Sequence, residues 1–225
     1  MLLRIPGLLT ADELALAQRE LAAAEWSDGR GTAGHQSTLV KHNRQLAEDA
    51  PVAQRLAKLV LQALARSEVF TRAALPQRVF TPLFNRYEPG MGYGDHVDGA
   101  LRNHAGGVGR TDISATLFLV DPASYDGGEL VIEGALGGQR VKLPAGDLVL
   151  YPTGALHRVE PVTRGVRVAS FFWVQSLVRD DARRGLLHDL DIALAGLRQR
   201  GLAGAPELVV LTGVYHNLVR QWAEV

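Results

Sequence analysis

Three residues of this chain, His96, Asp98 and His157, are of the types that hold a divalent metal ion. In His96-Val97-Asp98 an imidazole and a carboxylate stand two positions apart. On a strand, residues i and i+2 project from the same face, so both can reach one ion. Taken alone, such runs are a weak signal, and a polar turn explains most of them. His157 follows the turn Pro152-Thr153-Gly154 and opens a short strand. The chain has no cysteine. A site of imidazole and carboxylate fits that composition, which excludes disulfides, cysteine-ligated zinc, iron–sulfur clusters and thiol nucleophiles.

Two imidazoles and one carboxylate make the facial triad that binds non-haem Fe(II) and leaves coordination positions open for other ligands. Arg167 adds a second element. Between His157 and Arg167 lies the turn Pro161-Val162-Thr163-Arg164-Gly165, with Val162 at the midpoint. A hairpin closing at Val162 would set His157 and Arg167 opposite each other on one face. A buried arginine beside a ferrous centre needs an anion, and a bidentate carboxylate is its best partner. A keto-acid co-substrate would supply one. Arg164, in the expected turn, reads as the surface arginine of the pair.

The elements that must position these groups occupy the middle of the chain. From Val79 to Gln175, short apolar or alternating runs are broken by Gly, Pro and Asp. Strands are predicted at 79–88, 92–98, 112–120, 128–133, 138–143, 146–151, 155–160 and 166–174, a pattern of sandwich or jelly-roll type. Residues 1–77 read as a helical region, with a Thr10-x-x-Glu13 capping box and a second helix from Pro51 to about Arg66. Leu56, Leu59, Val60 and Ala63 form its core stripe. Residues 177–225 read as helical again. The fold class is thus α+β: a β domain over 78–176 with helices on both flanks. The segment 99–110 is Gly-rich and reads either as a mobile lid or as a flexible loop with an exposed His104. His42, His188 and His216 read as ordinary surface or helix histidines.

Length and charge bound the rest. The 225 residues can bury a sizeable core, and 47% are hydrophobic. Lys plus Arg number 24 and Asp plus Glu 24, for a formal net charge of zero. That argues against a nucleic-acid partner and against a polybasic membrane anchor. No apolar stretch is long enough to span a bilayer. A cytoplasmic location is the neutral expectation.

The residues also carry a resemblance. Tyr87-Glu88-Pro89-Gly90-Met91-Gly92-Tyr93-Gly94-Asp95-His96-Val97-Asp98 resembles the Y-x-x-G-x-x-Y-x-x-H-x-D segment of prolyl-4-hydroxylase-type 2-oxoglutarate dioxygenases. Gly127-Gly128-Glu129-Leu130 resembles their G-G-x-L strand, and His157 followed by Arg167 their distal histidine and 2-oxoglutarate arginine. The stretch Ala24 to Gly34, Val40-Lys41, Asn43 to Leu46 and Arg167 to Ser176 narrow the resemblance to the bacterial PKHD-type hydroxylases, some of which are named as iron-uptake factors. It spans nearly the whole chain.

The resemblance implies a double-stranded β-helix (jelly-roll, cupin-like) core, Fe(II) on His96, Asp98 and His157, and 2-oxoglutarate with its distal carboxylate on Arg167. Tyr87 would line the co-substrate pocket, and ascorbate would serve as auxiliary reductant. The activity implied is hydroxylation of a C–H bond by dioxygen, coupled to conversion of 2-oxoglutarate to succinate. The substrate is left open between a protein residue and a small molecule, with a link to iron uptake or homeostasis. His35, Lys41 and Asn43 are candidates to face it. Two other functions are compatible with a metal pocket: a cupin-like metalloenzyme that uses no keto-acid, and an iron or oxygen sensor. The C-terminal helices either cover the barrel or form a homodimer face.

Overall fold

The computed structural model describes residues 1–32, 38–104, 106–134 and 137–225. Two antiparallel sheets face each other. The larger runs β1 (Leu3–Ile5), β14 (Leu148–Pro152), β10 (Ile113–Phe118), β17 (Arg167–Ser176), β6 (Leu83–Tyr87), β4 (Arg44–Gln45), β2 (Ser27–Asp28), with β5 (Pro76–Val79) also paired to β17. The smaller runs β13 (Gln139–Val141), β12 (Leu130–Ile132), β15 (His157–Val159), β7 (Gly92–His96), β3 (Lys41–His42). Two further pairs join β8 (Leu101–His104) to β9 (Gly107–Arg110) and β11 (Asp126–Gly127) to β16 (Val162–Arg164).

Strand alternation divides the larger sheet between two cores. On β10, Ile113, Ala115 and Leu117 face one way; on β14, Leu148 and Leu150 do the same, as do Phe172 and Val174 on β17. These pack against helices α1 (Ala11–Ala22), α2 (Pro51–Arg66) and α3 (Glu68–Ala74), which contribute Ala17, Leu21, Leu56, Val60, Ala63 and Phe70. The intervening residues Phe118, Val149 and Tyr151 turn to the other face and meet Leu130, Ile132, Val141 and Val159 of the smaller sheet. One face of the large sheet is therefore a helix-covered core and the other the interior of the sandwich. Helices α4 (Asp181–Gln199) and α5 (Pro206–Trp222) follow and pack on each other.

The helical signals in the N-terminal region hold. Thr10 accepts from the Glu13 amide while the Glu13 side chain accepts from the Thr10 amide, closing the capping box. Pro51 opens α2, and Leu56, Val60 and Ala63 are buried on it, with Leu59 partly buried against the same core. What the helical reading of 1–77 omitted is four short strands, β1 to β4, which extend both sheets. The expected strand at 79–88 is two strands on opposite ends of β17, with Val79 opposite Val174 and Leu83 opposite Phe171. Pro82, which has no amide hydrogen, lies in the break. The segment 99–110 is not an unstructured loop among its described residues. It forms the β8–β9 pair, and His104 lies 3.2 Å from an Arg78 guanidinium nitrogen with its ring edge-on to Phe80. His188 is a buried helix histidine, whereas His42 and His216 are exposed. Among the described residues no helix is long and apolar enough to cross a membrane.

Candidate active site

The smaller sheet brings the two histidines together. His157 on β15 is registered opposite His96 at the end of β7. Their ring centroids lie 4.2 Å apart. The strand ends at His96, so Asp98 follows the strand rather than sitting in it. Its carboxylate still returns to the pair: Oδ1 is 3.8 Å from His96 Nε2, and Oδ2 is 3.7 Å from His157 Nε2. One ligand atom from each residue lies within 4.8 Å of the others.

The surroundings aim these groups inward. His96 Nδ1 lies 2.8 Å from the Gly94 carbonyl and His157 Nδ1 lies 2.9 Å from the Ala155 carbonyl. Each Nδ1 therefore carries the hydrogen, and each Nε2 offers its lone pair to the space shared with Asp98. Burial and the neighbouring His157 hold His96 down to about 4, so its imidazole is neutral at physiological pH. The Asp98 carboxylate is held from behind, where Trp173 Nε1 donates to Oδ2 at 2.9 Å and Ser114 Oγ at 2.7 Å. Tyr93 stacks on the His96 ring at 3.6 Å, and Tyr151 meets the His157 ring edge-on at 5.1 Å. Two imidazole nitrogens and one carboxylate, each steered by a second partner, fit a ferrous ion that keeps positions free for other ligands.

Arg167 arrives from the other sheet. The predicted hairpin that placed it across from His157 does not form. His157 pairs with β7 and β12, whereas β17 carries Arg167 opposite Tyr87 on β6. Residues 162–164, taken as the turn, instead form β16 against β11. His157 and Arg167 thus face each other across the sandwich interior and not along a ladder. Both line one cavity of about 270 Å³, together with His96, Asp98, Tyr87, Lys41 and Asn43. His35 lies outside the described residues.

Arg167 is 1% exposed, with its guanidinium carbon 5.2 Å from the Tyr87 ring and 5.5 Å from the Phe118 ring. It donates a long hydrogen bond of 3.5 Å to Asn85 Oδ1, and its Nε has no acceptor. A buried cation so poorly satisfied calls for a carboxylate. Burial pushes the Tyr87 phenol up, keeping it a neutral hydroxyl beside that cation. Gly128 makes room for the arginine stem: a Cβ there would come 3.1 Å from Arg167 Cδ, and the backbone φ is +66°. Arg164, by contrast, is exposed and paired to Asp126, as a surface arginine should be.

Comparison with known proteins settles the class. Residues 82–175 match the 2OG-Fe(II) oxygenase superfamily and residues 181–224 the PKHD-type hydroxylase C-terminal domain. A PKHD-type hydroxylase of Xanthomonas campestris pv. campestris (strain B100) is 58% identical over 229 residues, covering 100% of both chains. This chain belongs to the PKHD-type hydroxylases. Two solved structures share the fold of this PKHD-type hydroxylase. A Pseudomonas putida prolyl-4-hydroxylase matches at a TM-score of 0.54 and 24% identity, over 78% of this chain and 92% of that one. A Trichoplax adhaerens prolyl hydroxylase, solved with a hypoxia inducible factor oxygen degradation domain peptide fragment, matches at 0.56 and 15%, over 82% and 86%. The PKHD-type chain is therefore an oxidoreductase of the 2-oxoglutarate/Fe(II) dioxygenase class with a double-stranded β-helix core.

Four residues of the site escaped the sequence reading. Trp173 on β17 and Ser114 on β10, which hold Asp98, reach it from the larger sheet, while Tyr93, which covers His96, lies three residues before it on β7. Arg102 stacks over Trp173 at 4.2 Å. The available signal was alternation: Arg167, Phe171 and Trp173 share parity on β17 and all line the cavity.

Proposed function

We propose that His96, Asp98 and His157 bind Fe(II) in this hydroxylase and that Arg167, with Tyr87 beside it, receives the distal carboxylate of 2-oxoglutarate. The observation that carries this reading is the pairing, in one cavity, of the His–Asp–His cluster with a fully buried arginine whose Nε lacks an acceptor. Iron in that cluster would supply the coupling of 2-oxoglutarate decarboxylation to insertion of one oxygen atom of dioxygen into a C–H bond. Overall, substrate C–H, dioxygen and 2-oxoglutarate become substrate C–OH, succinate and carbon dioxide, which balances without a further reactant. Ascorbate belongs to the reading as a reductant that restores iron to the ferrous state after unproductive turnover.

The protein's part is placement. Asp98, fixed by Trp173 and Ser114, supplies the one anionic ligand. Arg167 lies on the same side as Tyr87 and Phe118, so a dicarboxylate anchored there extends toward the metal from the sandwich interior. Lys41 and Arg102 line the same cavity, where the substrate would enter. The substrate is a protein residue or a small molecule, and a role in iron homeostasis accompanies the family resemblance. The test is an anaerobic titration of 2-oxoglutarate into the Fe(II)-loaded protein, following the visible charge-transfer band of a chelated keto-acid. A saturable band in the wild type that is absent in Asp98→Ala supports the reading. No band in wild-type protein shown to hold iron overturns it.

A further inference from the structure

Besides Arg167, two cations, Lys41 and Arg102, line the cavity that holds the histidine pair. Lys41 sits on β3, with its Cα registered against Tyr93 of β7. Its ammonium lies 5.4 Å from the Tyr93 ring, which itself stacks on His96, and 5.8 Å from the Phe171 ring. It donates a hydrogen bond to Gln45 Oε1 and is only 5% exposed. Arg102 approaches from the β8–β9 hairpin and stacks on Trp173. Its outer edge reaches Glu48 at 3.4 Å.

These two like charges open onto one cavity with three aromatic walls, Tyr93, Phe171 and Trp173. Lys41 is held down to about 8 by burial, and Arg102 pushes the same way while Asp98 and Asp28 oppose them. Committing Asp98 to a metal ion would weaken that opposition and leave Asp28 to supply it. An anion entering between Lys41 and Arg102 relieves both their repulsion and their desolvation.

We propose that the part of this cavity lined by Lys41 and Arg102 selects an anionic substrate, with a carboxylate or equivalent oxyanion held by these two residues and a flat or apolar body against Tyr93, Phe171 and Trp173. This deepens the proposed function and rests on it for the position of the co-substrate. Lys41 is then a specificity-determining residue. A charge-assisted contact of this kind is expected to contribute roughly 10- to 100-fold in affinity.

The test uses benzoate, benzyl alcohol and benzylamine, three probes of similar shape and different charge. Each is titrated calorimetrically, without oxygen, into the Fe(II)-loaded protein saturated with 2-oxoglutarate, while the charge-transfer band reports the co-substrate. The expected result is at least 10-fold tighter binding of benzoate with the band retained. Lys41→Met should erase that preference and Lys41→Arg should keep it, both with unchanged 2-oxoglutarate affinity. Equal binding of the three probes overturns the proposal. So does loss of the band as benzoate is added, or weakened 2-oxoglutarate binding in Lys41→Met, which would make Lys41 a co-substrate residue. If the iron-loaded protein shows no band at all, the co-substrate assignment fails, while the calorimetric comparison still decides the anion preference.

Discussion

Replacing Arg167 by methionine should move affinity and stability in different directions. The side chain is buried, lies between the Tyr87 and Phe118 rings and makes a long hydrogen bond to Asn85. In the ligand-free protein the loss is two ring contacts of about 0.5–2 kcal/mol each and one hydrogen bond of about 1 kcal/mol. Against this, an ion desolvated at a cost of several kcal/mol disappears, and methionine keeps most of the volume. The ligand-free variant is therefore expected to melt within a few degrees of the wild type or above it. Binding is another matter. Losing one partner of a buried charge pair costs about 2–5 kcal/mol. At about 1.4 kcal/mol per decade, 2-oxoglutarate should bind roughly 30-fold to several thousand-fold more weakly. At 100 times its Kd the co-substrate stabilises the wild type by about 2.7 kcal/mol. For a chain of this size that is roughly 5–10 °C in Tm, and the variant should not show it at the same concentration. The assay is thermal melting of the Fe(II)-loaded protein with and without 2-oxoglutarate, beside the anaerobic titration. Arg164→Ala, which removes an exposed pair with Asp126, is the control and should change neither. An Arg167→Met protein that binds 2-oxoglutarate within threefold of the wild type would refute the assignment. One that melts far below wild type would show a structural arginine instead.

Three further expectations follow from the site. Trp173→Phe removes the indole donor to Asp98 while keeping a ring beneath Arg102, and metal affinity measured with Mn(II) should fall roughly 10- to 100-fold; an unchanged affinity would show that Ser114 alone suffices. Gly128→Ala puts a methyl group at φ +66° against Tyr125, Val162 and Arg167, so it should cost about 1–3 kcal/mol in denaturant unfolding and raise the KM for 2-oxoglutarate; a neutral variant would contradict the packing. In metal-free protein, the unfolded chain protonates His96 near 6.5 and the folded site only near 4, so stability should fall on acidification across that window, and His96→Gln should flatten the profile.

The residue types that carry chemistry were legible because each is distinctive and motif-bound: His96 and Asp98 in one run, His157 after a Pro–Gly turn, Arg167 at the head of a strand. Their relation in space was not. The spacing of His157 and Arg167 around Val162 suggested a hairpin, but β16 pairs with β11, and β17 leaves for the other sheet. Local symmetry cannot distinguish a ladder partner from a residue facing it across a sandwich, because that depends on long-range pairing. The strands β2, β3 and β4 have two residues each, too few to show a period, so the route that delivers Lys41 to the cavity left no pattern. The β8–β9 hairpin is glycine-rich and half-exposed, and reads as loop by composition although its ladder is regular. The helices, capped by Thr10 and opened by Pro51, were clear because those signals are local.

The measurement that bears most directly on the account is a crystal structure of the protein prepared without oxygen in Mn(II) and 2-oxoglutarate, read by anomalous scattering. The account predicts one metal peak bounded by His96 Nε2, His157 Nε2 and an Asp98 oxygen, with the distal carboxylate of 2-oxoglutarate on Arg167. A metal bound elsewhere, or a co-substrate turned so that its distal carboxylate meets Lys41, would contradict it.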